Sequence, residues 1–499
     1  MKNTNKPDIK IGLVVTSRDN FERGLSDGFI KNVYEQLLQS GFTGGEKGNV
    51  HLCSVIIESE SDAVHAAREI LGNHCDACAV ILGNFGPEAP ETIFAKLFGG
   101  PVMYAAAAED SKDTLYAGRR DAYCGLLNCS YNLNLRGIKA WMAEYPVGNA
   151  AGVANMIREF MPIATAVTGL QNLKLITFGP RPRDFFACNA PIKGIYDLGV
   201  EVEENSELDL YLSWLDHAGD SRIAEITESM KKQLGSDKYA DMYGKFAQYE
   251  VTLLDWAKTH TGSRKYVAFA NKCWPAFSRA FGFLPCYVNS RLMDQGIPVG
   301  CETDMYGAVS EYIGLCIQDE PVTLLDMNNT VPSDLADIYG QKYGYRKEEM
   351  FIGFHCGNTS AGLLSACELK FKMNRKDPYA PETGKEMTRG TLEGVLKSGD
   401  ICCYRLHAGA DGSMQAYIAK GKILPETLDT YGCYAVFGIE EMGRFYRHVM
   451  LGKAFPHHCA VVYGRRAATL YEIFKYLGVP YIGHNQRKIE RYPDENPFV

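Results

Sequence analysis

Apolar runs and amphipathic stretches alternate along the first 110 residues. IKIGLVV is a strand by its β-branched run, residues 24–39 have helical periodicity, VHLCSVII reads as a second strand and residues 61–72 as a second helix; ACAVILG and PVMYAAA are further strands. Near-continuous apolar strands separated by helices predict a parallel sheet covered on both faces. That outline would suit a dinucleotide. The turn after the first strand, TSRDNFERG, contains no G-x-G-x-x-G, however, so the phosphate cradle is missing and NAD is not expected.

A second α/β unit starts near Leu173, with strands LKLITFG, KYVAFA, PVGCE, VTLLDM and MFIGFH and helices over 206–217, 221–234 and 238–259. Within it, IPVGCETDMYGAVSEYIGL (297–315) reads as the end of a buried strand, an acid at the join, and a helix over 308–315. From about residue 362 the pattern changes to short strands and Gly-rich turns, as in GDICCYRLHAGADGSMQAYIAKGKIL, before a helix over 465–477 and a last strand, VPYIGHN. The expected fold class is α/β: two parallel-sheet, Rossmann-like domains over 1–170 and 171–361, then a β-rich, barrel-like C-terminal domain over 362–499.

Composition narrows the function classes. Hydrophobic residues make up 46% and charged residues 22% of 499, the balance of an ordinary globular protein with two to four cores. A net charge of −8 without any long Lys/Arg run argues against a nucleic-acid partner. The polar start, MKNTNKPDIKIGLVV, resembles neither a signal peptide nor a membrane span, so a cytoplasmic protein without a membrane partner is expected. The 16 cysteines then read as thiols rather than disulfides, and the lone CxxC of Cys75 and Cys78, with no second pair, as buried thiols rather than half of a zinc site.

Candidate chemistry lies in the middle of the chain. Three strands end on a group that can bind a metal: Glu302 after PVGC, Asp326 after VTLL and His355 after FIGF. Three such strands in one parallel sheet would bring these groups to a common edge, beyond their carboxyl ends. Singly, either acid could serve a helix N-terminus and the histidine could be a satisfied core residue; the coincidence of three favours a site. FPHHCAVVYG adds His457 and His458 ahead of another strand, and since neighbours in extended chain point to opposite sides, one of the two at most is expected to enter. Two carboxylates and an imidazole suit Mn²⁺ or Mg²⁺, and the lack of thiolates disfavours structural zinc. An ion on a carbonyl oxygen and its neighbouring hydroxyl acidifies the C–H between them, and a flanking carboxylate can move that proton to the adjacent carbon, which is aldose–ketose isomerisation. Hydrolysis could use the same set.

Three segments resemble the L-fucose isomerase family, with a more distant likeness to L-arabinose isomerases. CETDMYGAVSEYIG and VTLLDM are similar to its strand-Glu and strand-Asp pair, 24 residues apart; PHHCAVVYGRRAATLYEIFKYLGVPYIGHN is similar to its C-terminal segment; FHCGNTSAGLL matches a segment rich in Asn and small residues. The likeness runs from Leu173 onward and covers the N-terminal third by architecture only. It implies Glu302, Asp326 and His458 as ligands of Mn²⁺, or alternatively Mg²⁺ or another divalent ion. It implies Glu302 and Asp326 as the acid/base pair acting through a cis-enediol, and His355, which falls where arabinose isomerases have a metal-binding His, as a weaker ligand or substrate contact, with Asn358 a further candidate substrate contact. It also implies a homo-oligomer, a trimer or hexamer, in which N-terminal residues of a neighbouring subunit close the pocket.

Departures from the family bear on the sugar. The turn PRPRDF carries Arg181 and Arg183 where relatives have small residues and Met; it is either a solvated turn or, if an arginine turns inward, a seat for an anionic substituent. NKCWP makes Lys272 and Trp274 candidate sugar contacts, although Trp274 could equally be core, and Arg465 and Arg466 more simply cap a helix or meet another subunit. The expected activity is metal-dependent isomerisation of a monosaccharide, either neutral (L-fucose, D-arabinose or L-arabinose-like) or acid-bearing. The rivals are a non-catalytic sugar-binding or regulatory protein and a divalent-metal hydrolase or aldolase.

Overall fold

The computed structural model describes residues 4–112, 115–116, 118–236, 239–371 and 389–498. They form two compact units, Pro7–Thr168 and, with residues 4–6, the chain from Gly169 onward. In the first, β1 (Ile11–Thr16), β2 (Val50–Ile57), β3 (Ala77–Leu82), β4 (Val102–Ala107) and β5 (Val147–Gly148) make a parallel sheet in the order β2-β1-β3-β4-β5. Every residue of β1, β3 and β4 is buried, which is why these strands read as unbroken apolar runs. Cys53, Cys75 and Cys78 lie in this core, and burial pushes the Cys75 thiol up to about 11 and Cys78 well above the usual range.

Glu91 belongs to the same core, fully buried on the helix Glu88–Phe98, and burial pushes its carboxyl up to about 8. An unfolded chain ionises Glu91 near the ordinary carboxyl value of 4.5 whereas the folded unit keeps the proton until about 8, so stability falls as pH rises through that window. Between pH 6 and 8 the loss is about 2 kcal/mol. Glu91→Gln, which mimics the protonated form, is expected to flatten the decline in thermal melts, and an unchanged pH slope would contradict the assignment.

In the second unit β6 (Leu173–Phe178), β7 (Glu201–Asn205), β8 (Tyr266–Asn271) and β9 (Val299–Cys301) form a parallel sheet ordered β7-β6-β8-β9. The edge strand β7, sequence EVEEN, has no apolar run and is absent from the sequence reading; a strand paired on one side needs few buried side chains. The remaining strands are β10 (Thr323–Thr330), β11 (Met350–His355), β12 (Leu364–Phe371), β13 (Arg389–Leu396), β14 (Gly399–Ala408), β15 (Met414–Leu424), β16 (Cys433–Gly438), β17 (His458–Tyr463) and β18 (Tyr481–His484). They pair in the order β12-β13-β16-β11-β10-β17-β14-β15-β18, with an added β16–β15 pairing. That pairing closes β16, β11, β10, β17, β14 and β15 into an antiparallel barrel, the β-rich architecture expected from the short strands and Gly-rich turns.

One expectation fails here. Asp326 on β10 and His355 on β11 lie in the barrel, on strands antiparallel to each other, and only Glu302 follows a strand of the parallel sheet. The three do not share one sheet edge, because a six-residue apolar run reads alike in a parallel sheet and in a barrel wall. No helix among the described residues is long and apolar enough to cross a membrane.

Candidate metal centre and active site

The site is assembled where β9 ends against the barrel. After Cys301 the chain turns through Glu302 and Thr303, at φ +60° and +59°, closed by the Asp304 N–H donating to the Cys301 carbonyl at 3.1 Å. Two consecutive non-glycine residues in the left-handed region carry a strain of roughly 1–2 kcal/mol each. The Thr303 N–H donates to the Asn271 carbonyl at the end of β8 (2.9 Å), which pins the turn. Asp304 then caps the helix Met305–Ile317, accepting from the Gly307 N–H at 2.9 Å. That helix contains the 308–315 segment of the sequence reading; every residue from Tyr306 to Ile317 is buried, so it is a core helix rather than an amphipathic one.

Asp326 and His458 face each other as register partners on β10 and β17. The His458 Nε2 lies 3.3 Å from Asp326 Oδ1 and 3.6 Å from Glu302 Oε2. His355, buried at the end of β11, joins Asp326 and His458 with ligand atoms within 4.8 Å of one another. His457 does likewise with Glu302 and His458, its Nε2 being 3.7 Å from Asp326 Oδ1. This corrects the expectation that one of the two histidines at most would enter. His457 precedes the first residue of β17, so strict alternation does not yet apply, and the two rings sit 4.3 Å apart.

Electrostatics follow from burial and charge. Burial opposes ionisation of Asp304, but the Arg405 guanidinium and the His458 imidazole hold its carboxyl far below the usual range. Burial likewise opposes Asp326, whose carboxyl His458, His355 and His457 bring well down. Burial disfavours charge on His458, yet Asp304 and Asp326 raise its pKa well above the usual histidine value. Burial and the neighbouring His458 push His457 down to about 4. The result is a cluster of fixed negative charge around one imidazole.

A divalent ion fits these residues. His458 Nε2 is buried and has no hydrogen-bond partner among the described residues, although two carboxylates stand beside it. Ligands at right angles on an ion of Mg²⁺ size lie roughly 3 Å apart, close to the separations found here. Glu302 and Asp326 keep side-chain exposures of 14% and 21%, against 1% for His458, so the carboxylate side is open to a substrate.

Asn358 is buried, with its Oδ1 lacking a partner among the described residues. Lys272 is 5% exposed and donates to the Pro180 carbonyl at 2.7 Å while pairing with Glu207 at 3.0 Å, so it holds the turn after β6. From that turn Phe185 meets the rings of Trp274 and His457 edge-on, 6.5 and 5.4 Å away. Arg181 stacks on Phe186, and Arg183 is exposed. Sequence reasoning missed three groups. Cys188, 3.8 Å from His458 Nδ1 and 4.0 Å from Glu302 Oε2, gives no sequence signal. Asp304 could have been found as a cap before an apolar helix, and Arg405 as a lone charge inside the strand CCYRLHA.

Two family models and several relatives match the chain. Residues 12–171 match the family model for the fucose/sulfoquinovose isomerase N-terminal domain, and residues 353–485 that for the L-fucose isomerase C-terminal domain. Sulfoquinovose isomerase of Priestia megaterium is 23% identical over 64% of this chain and 66% of its own length. That of Alkalicoccus urumqiensis is 20% identical over 66% and 69%. That of Clostridium sp. strain MSTE9 is 39% identical over 32% of this chain and 30% of its own. The chain thus spans just under two thirds of the Priestia relative it matches. The chain belongs to the L-fucose isomerase-like family, a family of aldose–ketose isomerases.

Proposed function

We propose that this protein is a metal-dependent aldose–ketose isomerase acting on a monosaccharide. The observation that carries the reading is the buried Nε2 of His458, without a hydrogen-bond partner among the described residues, set beside the carboxylates of Glu302 and Asp326. Glu302, Asp326 and His458 would hold the ion, with His355 as a weaker ligand or substrate contact. Mn²⁺ suits the oxygen and nitrogen donors, as would Mg²⁺. Such an ion polarises the sugar's carbonyl and adjacent hydroxyl oxygens.

The chain's own groups move the protons. Of the pair Glu302 and Asp326, one carboxylate takes the proton from C2 of the open aldose; the C–H electrons form the C1–C2 double bond while the carbonyl π electrons move onto O1, which takes up a proton to complete a cis-enediol. A proton delivered to C1 and loss of the O2 proton then give the ketose, so the step is redox-neutral overall. The turn at Glu302, pinned by the backbone bonds of Thr303 and Asp304, sets where its side chain leaves the main chain. Asn358 and Trp274 would be candidate contacts for sugar hydroxyls. Because the relatives named above are sulfoquinovose isomerases, we place an acid-bearing aldose first among substrates, with Arg183 as its candidate anion contact.

A panel of neutral and acid-bearing aldoses, sulfoquinovose included, followed by proton NMR in D₂O with Mn²⁺, tests this. Ketose signals with solvent deuterium at the exchanging carbon are expected. Cleavage products would favour the hydrolase or aldolase reading, and binding without turnover the non-catalytic one.

The proposal includes self-association. The helix Ala122–Leu135 carries no charged residue and presents Tyr123, Leu127, Tyr131 and Leu135 at four-residue spacing, each 60–64% exposed. Such a ridge on one helix suits an interface between copies. Replacing Leu127 and Tyr131 together by Glu is expected to lower the mass seen by light scattering at least twofold. An unchanged mass would remove this face from the interface.

A further inference from the structure

We infer that Asp304 and Arg405 form a positioning pair that fixes His458 with its hydrogen on Nδ1 and its Nε2 bare and aimed at Glu302 and Asp326. The inference rests on the reading of His458 as a metal ligand. Asp304 lies with Cys188 and His458 in a group whose ligand atoms are within 4.8 Å of one another, but it meets His458 at Nδ1, on the far side of the ring from Nε2, and acts through the imidazole.

Three constraints from three elements converge on Asp304. Its Oδ2 lies 2.8 Å from His458 Nδ1, the distance of a charge-assisted hydrogen bond. Arg405, from β14, grips both of its oxygens, Nη1 to Oδ2 at 2.8 Å and Nη2 to Oδ1 at 2.9 Å. The Gly307 N–H, in the first turn of the helix it caps, donates to Oδ1 at 2.9 Å. The side chains of Asp304, Arg405 and His458 are all within 2% of full burial, so water does not compete. The helix also comes in too close for a side chain at residue 307, where a Cβ would lie 2.6 Å from Asp304 Oδ2.

Arg405 restrains the histidine twice. Besides holding Asp304, its Nη1 lies 3.4 Å from the His458 carbonyl oxygen, which the Tyr417 hydroxyl also approaches at 3.4 Å. Backbone and ring of His458 are thereby set by one guanidinium. A carboxylate behind an imidazole fixes its tautomer and orientation and raises its basicity toward an ion, and losing that carboxylate typically weakens metal binding 10–100-fold. Asp304 thus has a task that neither helix capping nor an internal ion pair alone would require.

The test is Mn²⁺ titration by calorimetry on metal-stripped full-length protein, with thermal melts in parallel. Asp304→Asn is expected to raise the Mn²⁺ Kd roughly 10–100-fold in a protein that still melts cooperatively. Because it leaves the Arg405 charge unmatched, Asp304→Asn combined with Arg405→Met, which leaves no unpaired buried charge, carries the same expectation should the single variant fold poorly. Arg405→Lys, which keeps the charge but loses the two-pronged grip, is expected to fall between. Unchanged Kd in folded Asp304 variants, alongside a large rise in His458→Ala, would overturn the positioning role while leaving the metal site standing. An unchanged Kd in His458→Ala would overturn the metal reading itself.

Discussion

Glu302→Gln and Asp326→Asn are each expected to lower kcat on the order of 10³-fold, the scale of losing a positioned acid or base. An amide keeps the shape of the carboxylate but cannot take a proton and brings no negative charge to an ion. The fold should survive both changes. Glu302 lies in a turn held by backbone bonds from Thr303 and Asp304, which do not involve its side chain. Asp326 is paired through the backbone of β10 with both β11 and β17. Far-UV circular dichroism and melting temperature should therefore stay close to the parent's. Near-parental turnover in both variants would refute the acid/base assignment.

Removing the metal is expected to have an effect of similar size. Dialysis against a chelator should bring turnover below about 1% of its starting value, and Mn²⁺ alone should restore it. Stability should follow, since an ion that binds only the folded state at a hundred times its Kd adds about 2.7 kcal/mol. Stripped protein should consequently melt lower and regain its midpoint on Mn²⁺ addition. Full turnover in protein shown by elemental analysis to be metal-free would contradict the mechanism.

Much of this molecule can be read from local pattern, and the exceptions have a physical cause. Helices expected over 24–39, 61–72 and 221–234 occur at Arg23–Gln39, Glu60–Gly72 and Arg222–Leu234, since their periodicity reflects one buried face. The strand ends at Glu302 and His355 were legible as a polar residue closing an apolar run, whereas Asp326, expected to end its strand, is the fourth of eight residues in β10, which runs on to Thr330. How those strands pair was not legible. The β10 and β11 runs carry no mark of the antiparallel barrel, because pairing partners lie as far away as β17, 132 positions beyond Asp326 at His458. Groups that act through others were equally hidden. Asp304 stands two residues after Glu302, and its meaning depends on Arg405 and His458, which are 101 and 154 residues away.

The measurement that bears most directly on the account is anomalous diffraction at the manganese edge from crystals grown with Mn²⁺. The account predicts one strong peak in each subunit, in contact with His458 Nε2 and with carboxylate oxygens of both Glu302 and Asp326. A fully occupied peak elsewhere, with His458 out of coordinating reach, would contradict it.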